Sequence, residues 1–281
     1  MEKQLEQIRQ QQRDSWNKFS GGWKKWDNLF MDFLKPMGDE IIKLLDPKNT
    51  DVILDVASGT GEPGLSIANK VKFGKVIVSD LAEDMLEIAR ENAKQRGISN
   101  IEIYPCDVCE MPFADNTFDA VSCRFGFMFF PDMLLAAKEM TRVLKPGGRI
   151  AASVWNVPEK NFWITAILGT IKANMDLPAP LPGAPGMFRC AKDGIIAEVF
   201  KQAGLKNISV KEVMGKMNCK TKDVYWNSMT EVAAPVVAAL SNADNEMSAR
   251  IKDQVYQKIE QKYSEGDVLI DSSALVIYGE K

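Results

Sequence analysis

The chain has 281 residues, of which 46% are hydrophobic and 26% are charged, and these values are ordinary for a globular protein with a full core. The formal net charge of −3 gives no electrostatic case for binding nucleic acid, and no apolar run reaches the roughly 18 residues of a membrane span. The chain contains no histidine, which excludes an imidazole base, a Ser-His-Asp site and a histidine-ligated metal.

The first 48 residues are predicted to be helical and to form a lid. Aromatic residues cluster there, and Trp16, Phe19 and Trp23 are candidate ligand-binding residues. Gly21-Gly22 lies within this cluster and offers a hinge. The alternative is a helix that packs its aromatic face on the core.

Residues 50–155 alternate short apolar runs with amphipathic segments. The predicted strands are 52–56, 75–79, 101–106, 118–124 and 148–155, and the predicted helices lie near 62–71, 83–96 and 132–143. Such alternation predicts a parallel sheet that helices cover on both faces.

The remainder of the chain is predicted to complete the sheet and to cap it. The predicted cap insertions are 156–190, which carries a helix at 161–173 and a Pro/Gly loop at 176–186, and 221–263, which is helical. The segments 191–213 and 268–279 supply a helix at 192–203 and strands at 206–213 and 268–279. We therefore expect a single domain over residues 1–281 with a helical cap.

A glycine turn and three acidic residues mark the predicted ligand site. The turn Asp55–Gly61 follows the first apolar run, Asp80 ends the second run and Asp107 ends the third. Backbone N–H groups converge where a glycine turn enters a helix. Carboxylates at three successive strand ends suit a ligand with hydroxyls and an exocyclic amine, such as S-adenosylmethionine, better than they suit a pyrophosphate. Asp80 and Asp107, each taken alone, are equally consistent with a helix cap.

Two other functions are kept as alternatives. Gly59–Gly64 matches the G-x-G-x-x-G pattern of dinucleotide sites, so a nicotinamide-dependent oxidoreductase is one. Asp55 opposes it, because a carboxylate four residues before the first glycine would repel a pyrophosphate. A non-catalytic nucleoside-binding partner protein is the other.

The motifs resemble those of class I S-adenosylmethionine-dependent methyltransferases, in the small-molecule group that contains the ubiquinone/menaquinone-type enzymes. The residues that carry the likeness are Leu54–Gly61, Val78–Asp80, Pro105–Val108, Phe118–Gly126 and Val143–Arg149. The resemblance implies an α/β, Rossmann-like doubly wound sheet of seven strands in the order 3-2-1-4-5-7-6, with one antiparallel strand. It also implies S-adenosyl-L-methionine as cofactor and in-line methyl transfer to a small molecule. The candidate cofactor-binding residues are Asp55, Ala57, Ser58, Gly59, Gly61, Asp80, Leu81, Met85, Cys106, Asp107, Val108, Arg124 and Phe125.

The acceptor is expected to be an apolar or aromatic small molecule. Its candidate contacts are Trp16, Phe19, Trp23, Phe127, Met128 and Trp163, with Trp226 as a further wall and Trp155 interpreted as core. Arg124–Pro131 stands where the quinone enzymes carry a different arginine motif, so the sequence leaves the acceptor class and the methylated atom open.

The remaining predictions concern the cysteines, the location and the assembly. Cys106 and Cys109 form a C-x-x-C pair, which we interpret as buried, unreactive thiols rather than a redox pair or a metal site. The charged, glutamine-rich N-terminus is unlike a signal peptide, so we expect a cytoplasmic protein. A monomer or homodimer is expected, and no catalytic residue is assigned.

Overall fold

The structure, a computed structural model, describes residues 2–177, 183–192, 194–264 and 267–281. The strands in these ranges are β1 Val52–Val56, β2 Lys75–Asp80, β3 Ile101–Pro105, β4 Phe118–Arg124, β5 Leu144–Trp155, β6 Lys206–Lys220 and β7 Val268–Glu280. The helices are α1 Glu2–Lys25, α2 Asp27–Leu45, α3 Gly64–Ala68, α4 Glu83–Gln95, α5 Met133–Val143, α6 Phe162–Asn174, α7 Ile195–Gln202, α8 Lys222–Val232, α9 Ala234–Leu240 and α10 Asn245–Lys262.

The seven strands form one sheet of order β3-β2-β1-β4-β5-β7-β6. Strands β1 to β5 run parallel, and β7 is antiparallel to both of its neighbours. The inner strands are buried on both faces, as parallel strands covered by helices must be. The predicted fold class and strand order are therefore confirmed.

The strand register brings the predicted acidic residues to one edge of the sheet. Asp55 of β1 pairs with Val78 of β2 on one side and with Ser122 of β4 on the other. Asp80 pairs with Pro105, the last residue of β3. The chain builds the sheet outward from β1 in one direction and from β4 in the other. Open α/β sheets bind ligands at the carboxyl ends of the strands at such a point.

The break between the two N-terminal helices does not lie at the predicted hinge, Gly21-Gly22. α1 continues through Gly21 and Gly22, and the break from α2 falls at Trp26. Gly22 has a packing reason instead, because a Cβ at that position would lie 2.3 Å from the carbonyl oxygen of Glu231 at the end of α8. The glycine lets two helices approach closely.

The two predicted insertions carry helices in the described residues. α6 follows β5, and α8 to α10 connect β6 to β7. Of the predicted Pro/Gly loop 176–186, residues 178–182 lie outside the described residues. β6 runs to Lys220 and so exceeds the predicted end at 213, because its second half alternates buried Val213, Gly215, Met217 and Cys219 and pairs with β7 throughout. Small and sulfur-containing residues at these positions made the period-two pattern weak.

Candidate active site

Asp55 lies beneath the glycine turn rather than in the ligand cavity. It is fully buried, and its carboxyl accepts hydrogen bonds from Ser122 Oγ at 2.5 Å and from the Gly64 backbone N–H at 3.0 Å. Burial raises the pKa of Asp55 to about 7, although the donors Ser122, Ser58 and Gly64 oppose that shift. The residue joins β1, β4 and the start of α3, and so it fixes the turn above it.

The turn itself depends on left-handed backbone conformations. Ala57, Gly59 and Gly61 have φ values of +52°, +55° and +111°. Gly61 also lies against Leu65, whose Cδ1 would be 2.8 Å from an added Cβ. Gly61 is therefore needed for the conformation of the turn and its packing on Leu65, whereas Ala57, Ser58 and Gly59 line the cavity.

Asp80 at the end of β2 faces the cavity beside this turn. Its Oδ2 accepts a hydrogen bond from the Gly59 N–H at 2.9 Å, and its Oδ1 accepts one from the Ala82 N–H at 2.9 Å. Burial raises the pKa of Asp80, and these backbone donors lower it in part. The Leu81 N–H is a third backbone donor that lowers this pKa, and since a carboxylate accepts about four hydrogen bonds, acceptor capacity remains for a ligand.

Asp107, just after β3, contacts a residue that the sequence did not indicate. Its Oδ1 accepts a hydrogen bond from the Cys109 N–H at 2.7 Å, and its Oδ2 lies 2.5 Å from Nε of Arg9 on α1. Arg9 also pairs with Glu110 at 3.2 Å. This charge cluster ties α1 to the end of β3.

One cavity of about 400 Å³ joins the glycine turn to an aromatic chamber. The predicted residues that line it are Trp16, Trp23, Ala57, Ser58, Gly59, Asp80, Leu81, Met85, Cys106, Asp107, Val108, Arg124, Phe125, Met128 and Trp163. Asp55 and Gly61, the two ends of the turn, are not among the lining residues. Phe19 is 8% exposed and does not line the cavity.

Phe127, a predicted acceptor contact, is not among the residues that line the cavity. Its side chain is fully buried and packs away from the cavity, with its ring centroid 5.7 Å from that of Phe200 on α7. The next aromatic residue, Phe129, lines the chamber instead, with its ring 5.2 Å from that of Trp16 in an edge-to-face arrangement. Trp226 also lies outside the lining.

The sequence did not indicate several other residues that line the cavity, and those on α2 have the spacing of an ordinary buried helix face. They are Phe30, Met31, Phe33 and Leu34 on α2, Gln12 and Ser15 on α1, and Val232 to Pro235 at the junction of α8 and α9. Trp155, interpreted from the sequence as core, is 4% exposed and also lines the cavity. It stacks on Phe125 with ring centroids 4.1 Å apart.

Arg124, at the end of β4, is the one Lys or Arg among the described residues that line the cavity. Among the described residues, the one hydrogen-bond partner of its guanidinium is the Met31 thioether, whose Sδ is 3.2 Å from Nη2. Met31 Sδ is also 3.9 Å from Thr60 Oγ1 in the turn. Burial lowers the pKa of Arg124, and attraction to Glu62, Asp55 and Asp27 opposes this.

The C-x-x-C cysteines are both free thiols in the structure. Burial raises the pKa of Cys106 to about 11 and that of Cys109 to about 12, which keeps both protonated at neutral pH. Within the described ranges, no three His, Cys, Asp or Glu side chains are arranged to hold a metal ion. In the same ranges, no helix combines the length and the apolar character needed to cross a bilayer.

Comparison with solved structures places this fold among known methyltransferases. The YcgJ protein of Bacillus subtilis superposes with a TM-score of 0.58 at 18% identity, over 87% of this chain and 97% of that one. Phosphoethanolamine N-methyltransferase 2 of Haemonchus contortus, in complex with phosphomonomethylethanolamine and S-adenosylhomocysteine, gives 0.57 at 19% identity, over 94% of this chain and 57% of that one. The sheet order and these likenesses define the Rossmann-like class I methyltransferase fold.

Sequence relatives narrow the class to a family. The model of the ubiE/COQ5 methyltransferase family matches residues 29–162. A demethylmenaquinone methyltransferase of Bacillus cytotoxicus is 32% identical over 188 residues, which cover 61% of this chain and 77% of the relative. The one from Bacillus subtilis is 30% identical over 197 residues, covering 64% and 82%. The chain belongs to the ubiE/COQ5 methyltransferase family.

The activity follows from that membership. The protein transfers a methyl group from S-adenosylmethionine to a small molecule. Neither the nicotinamide oxidoreductase nor the non-catalytic binder, which the sequence left open, finds support in these comparisons.

Proposed function

We propose that the cofactor lies along the strand ends with its adenine at β3, its ribose at β2 and its methionine tail over the glycine turn. Asp107 accepts from the adenine amine, and the free lone pairs of Asp80 accept from the ribose hydroxyls. Met85 and Leu81, which line the cavity between these two acids, pack on the nucleoside. The support is that Asp80 and Asp107 both border one cavity at adjacent strand ends.

We propose further that the acceptor is a planar, apolar ring compound related to the demethylmenaquinone of the relatives' names. The observation that carries this is the continuity of the cavity, in which the glycine turn opens directly into a chamber walled by Trp16, Phe129, Trp155 and Trp163. Aromatic walls favour flat ring ligands, which stack on them or meet them edge to face.

The chemistry needs little from the protein beyond alignment. The methyl group on a sulfonium is already activated, so placing the acceptor in line and excluding water provides the catalysis, and such placement is worth on the order of 7–11 kcal/mol. The aromatic chamber excludes water from this line. A proton that leaves the acceptor passes to a carboxylate, a tyrosine or water, because the chain has no histidine.

We also propose that α1 acts as a lid. It contributes Gln12, Ser15 and Trp16 to the cavity, and its outer contacts are largely polar. Examples are Lys24 with Glu91 at 2.6 Å and Lys25 with Glu231 at 2.7 Å. Polar contacts at a helix surface are individually weak, and this permits opening. The cytoplasmic location and the monomeric or homodimeric state stay predictions.

Methyl transfer to a panel of acceptors tests the proposal. Purified protein is incubated with labelled S-adenosylmethionine and demethylated naphthoquinones in oxidised and reduced forms, alkylphenols and small amines, and products are detected by label and mass. We expect transfer to the ring compounds and none to the amines. Preferred transfer to amines would overturn the acceptor class. Binding of S-adenosylhomocysteine without transfer to any compound would favour a non-catalytic binder, and binding of NADH alone would overturn the cofactor orientation.

A further inference from the structure

The guanidinium of Arg124 is a half-buried cation that forms no ion pair within the described part of the chain. It borders the cavity at the end of β4, and its one hydrogen-bond partner among the described residues is the weakly accepting sulfur of Met31. A guanidinium carries five N–H donors, and burial without charged acceptors is costly. The guanidinium therefore has N–H donors that remain available to an anionic ligand in the cavity.

The neighbouring carboxylates do not complete it. Asp55 accepts from Ser122 and Gly64, as described above. Asp27 Oδ1 accepts from Thr60 Oγ1 at 2.7 Å. Glu62 accepts from the Ser66 hydroxyl at 3.0 Å and pairs with Arg96. Each acid already has donors of its own, and none forms an ion pair with Arg124 in the described part of the chain.

The order of the strands indicates which part of a nucleoside ligand lies next to Arg124. Neighbouring strands are about 4.8 Å apart, so the tips of β2 and β4, separated only by β1, lie roughly 10 Å from each other. A ligand with its base at β3 and its sugar at β2 extends its third part over the glycine turn of β1 toward β4. In S-adenosylmethionine, that third part is the methionine tail.

We infer that Arg124 binds the α-carboxylate of the cofactor's methionine tail and so selects cofactors that carry this group. The guanidinium lies beside the turn, because Met31 Sδ contacts both Nη2 of Arg124 and the hydroxyl of Thr60. A planar guanidinium matches a carboxylate in a two-pronged geometry, which a lysine at this position would not reproduce. This assignment rests on the cofactor orientation proposed above.

The test measures the coupling between Arg124 and the carboxylate. Binding of S-adenosylhomocysteine and of its decarboxylated analogue, 5′-deoxy-5′-(3-aminopropylthio)adenosine, is measured by calorimetry for the wild type and for Arg124→Gln. The wild type is expected to bind S-adenosylhomocysteine about 10- to 100-fold more tightly than the analogue, because hydrogen bonds to a charged group are lost. In Arg124→Gln this preference is expected to shrink to about threefold or less, with the affinity for the analogue almost unchanged.

Arg9→Gln is the matched control, because it removes a cation that pairs with Asp107, at the proposed adenine end of the cavity. It is expected to change the affinity for both ligands by the same factor, and so to leave the preference for the carboxylate intact. Thermal melts verify that the variants fold. If Arg124→Gln does not fold, Arg124→Met replaces it, and the comparison of the two ligands on the wild type still applies.

Two results would overturn the inference. One is equal affinity of the wild type for the two ligands, and the other is an equal loss for both ligands in the Arg124 variant. A variant with unchanged preference but lower turnover would assign Arg124 to the methyl acceptor instead. In each of these cases S-adenosylhomocysteine still binds the wild type, so the proposed function survives and the two failures are distinguishable.

Discussion

The carboxylate of Asp80 ties the tip of β2 to the glycine turn after β1, since its Oδ2 accepts a hydrogen bond from the Gly59 N–H at 2.9 Å. Its Oδ1 is likewise occupied by the Ala82 N–H at 2.9 Å. The side chain therefore has two roles, one in shaping the turn and one in offering its remaining lone pairs to the ribose.

Asp80→Asn is expected to weaken binding of S-adenosylhomocysteine about 10- to 100-fold. An amide keeps one oxygen acceptor, and its NH₂ group faces a backbone N–H that the carboxylate formerly satisfied, so hydrogen bonds worth roughly 1.5–3 kcal/mol are lost. Calorimetric titration measures the loss. Glu87→Gln, an exposed change on α4, serves as the control. Equal affinities in Asp80→Asn and the wild type would remove the ribose assignment.

The acceptor chamber gives a second prediction through two aromatic residues with different surroundings. Trp16→Leu removes a cavity wall and its edge-to-face contact with Phe129. Little change in Tm is expected. We expect the KM for the acceptor to rise roughly tenfold, because the stacking surface for the acceptor ring is lost. Steady-state kinetics at saturating cofactor measures this change.

Phe127→Leu is the matched control, because Phe127 is close to the chamber in the chain and does not line it. This side chain is fully buried beside Phe200, so the variant is expected to lose about 1 kcal/mol of stability, or about 2–4 °C in Tm, at unchanged KM. A raised KM in Phe127→Leu together with an unaffected Trp16→Leu would contradict the placement of the chamber.

Phe129 lines the cavity and Phe127 does not, and the sequence did not indicate this difference. Strand ends and the glycine turn were predictable because buried runs and acidic residues carry local, periodic signals. The segment after β4 carries none, since Phe125 adopts a left-handed conformation with φ of +62° and a short 3-10 turn follows at 127–129. That reversal redirects the side chains, so the order of aromatic residues did not indicate which of them face the cavity.

The Arg9 contact was beyond sequence reasoning for a different reason. Arg9 lies in a helix with a mostly polar surface and meets Asp107, which lies almost a hundred residues away in the chain. No spacing rule connects two such residues. Phe30 and Phe33 on α2 show a related case, because both are buried at helical spacing, a pattern that gives no sign that they also border a cavity.

The raised pKa of Asp55 predicts a pH dependence of stability. The pKa is about 7 in the folded protein, against a reference value of 3.8. Between pH 4 and 7 the unfolded chain loses this proton while the folded chain keeps it, so this group makes the free energy of unfolding fall as pH rises through that window and leaves it level above the window. The loss is on the order of a few kcal/mol.

Asp55→Asn is expected to flatten this dependence. The amide resembles the protonated acid in offering one oxygen acceptor and a donor, so the variant and the wild type are expected to be most alike near pH 4 and the variant more stable near pH 7. Urea unfolding at several pH values measures the difference between the two proteins, which cancels the other titrating groups. Parallel stability curves for the two proteins would show that Asp55 is ionised throughout.

The two adjacent glycines of α1 give the last prediction, because only one of them touches the cap. A Cβ at Gly22 would lie 2.3 Å from the Glu231 carbonyl oxygen, whereas a Cβ at Gly21 meets nothing within 4 Å. Gly21→Ala is expected to be neutral or to stabilise the protein by up to about 1 kcal/mol through helix propensity. Gly22→Ala is expected to push α1 away from α8, at a cost of about 1–3 kcal/mol.

Displacement of α1 by Gly22→Ala also strains the contacts of Lys25 and Trp26 with Glu231, at 2.7 and 2.9 Å. If α1 is a lid, turnover of the acceptor falls more than the affinity for S-adenosylhomocysteine, because the displaced helix carries Trp16 out of the chamber wall. Thermal melts, cofactor titration and initial rates on both alanine variants separate these effects. Full turnover in Gly22→Ala, in a protein whose melting temperature has dropped, would show that α1 supports the fold without closing the site.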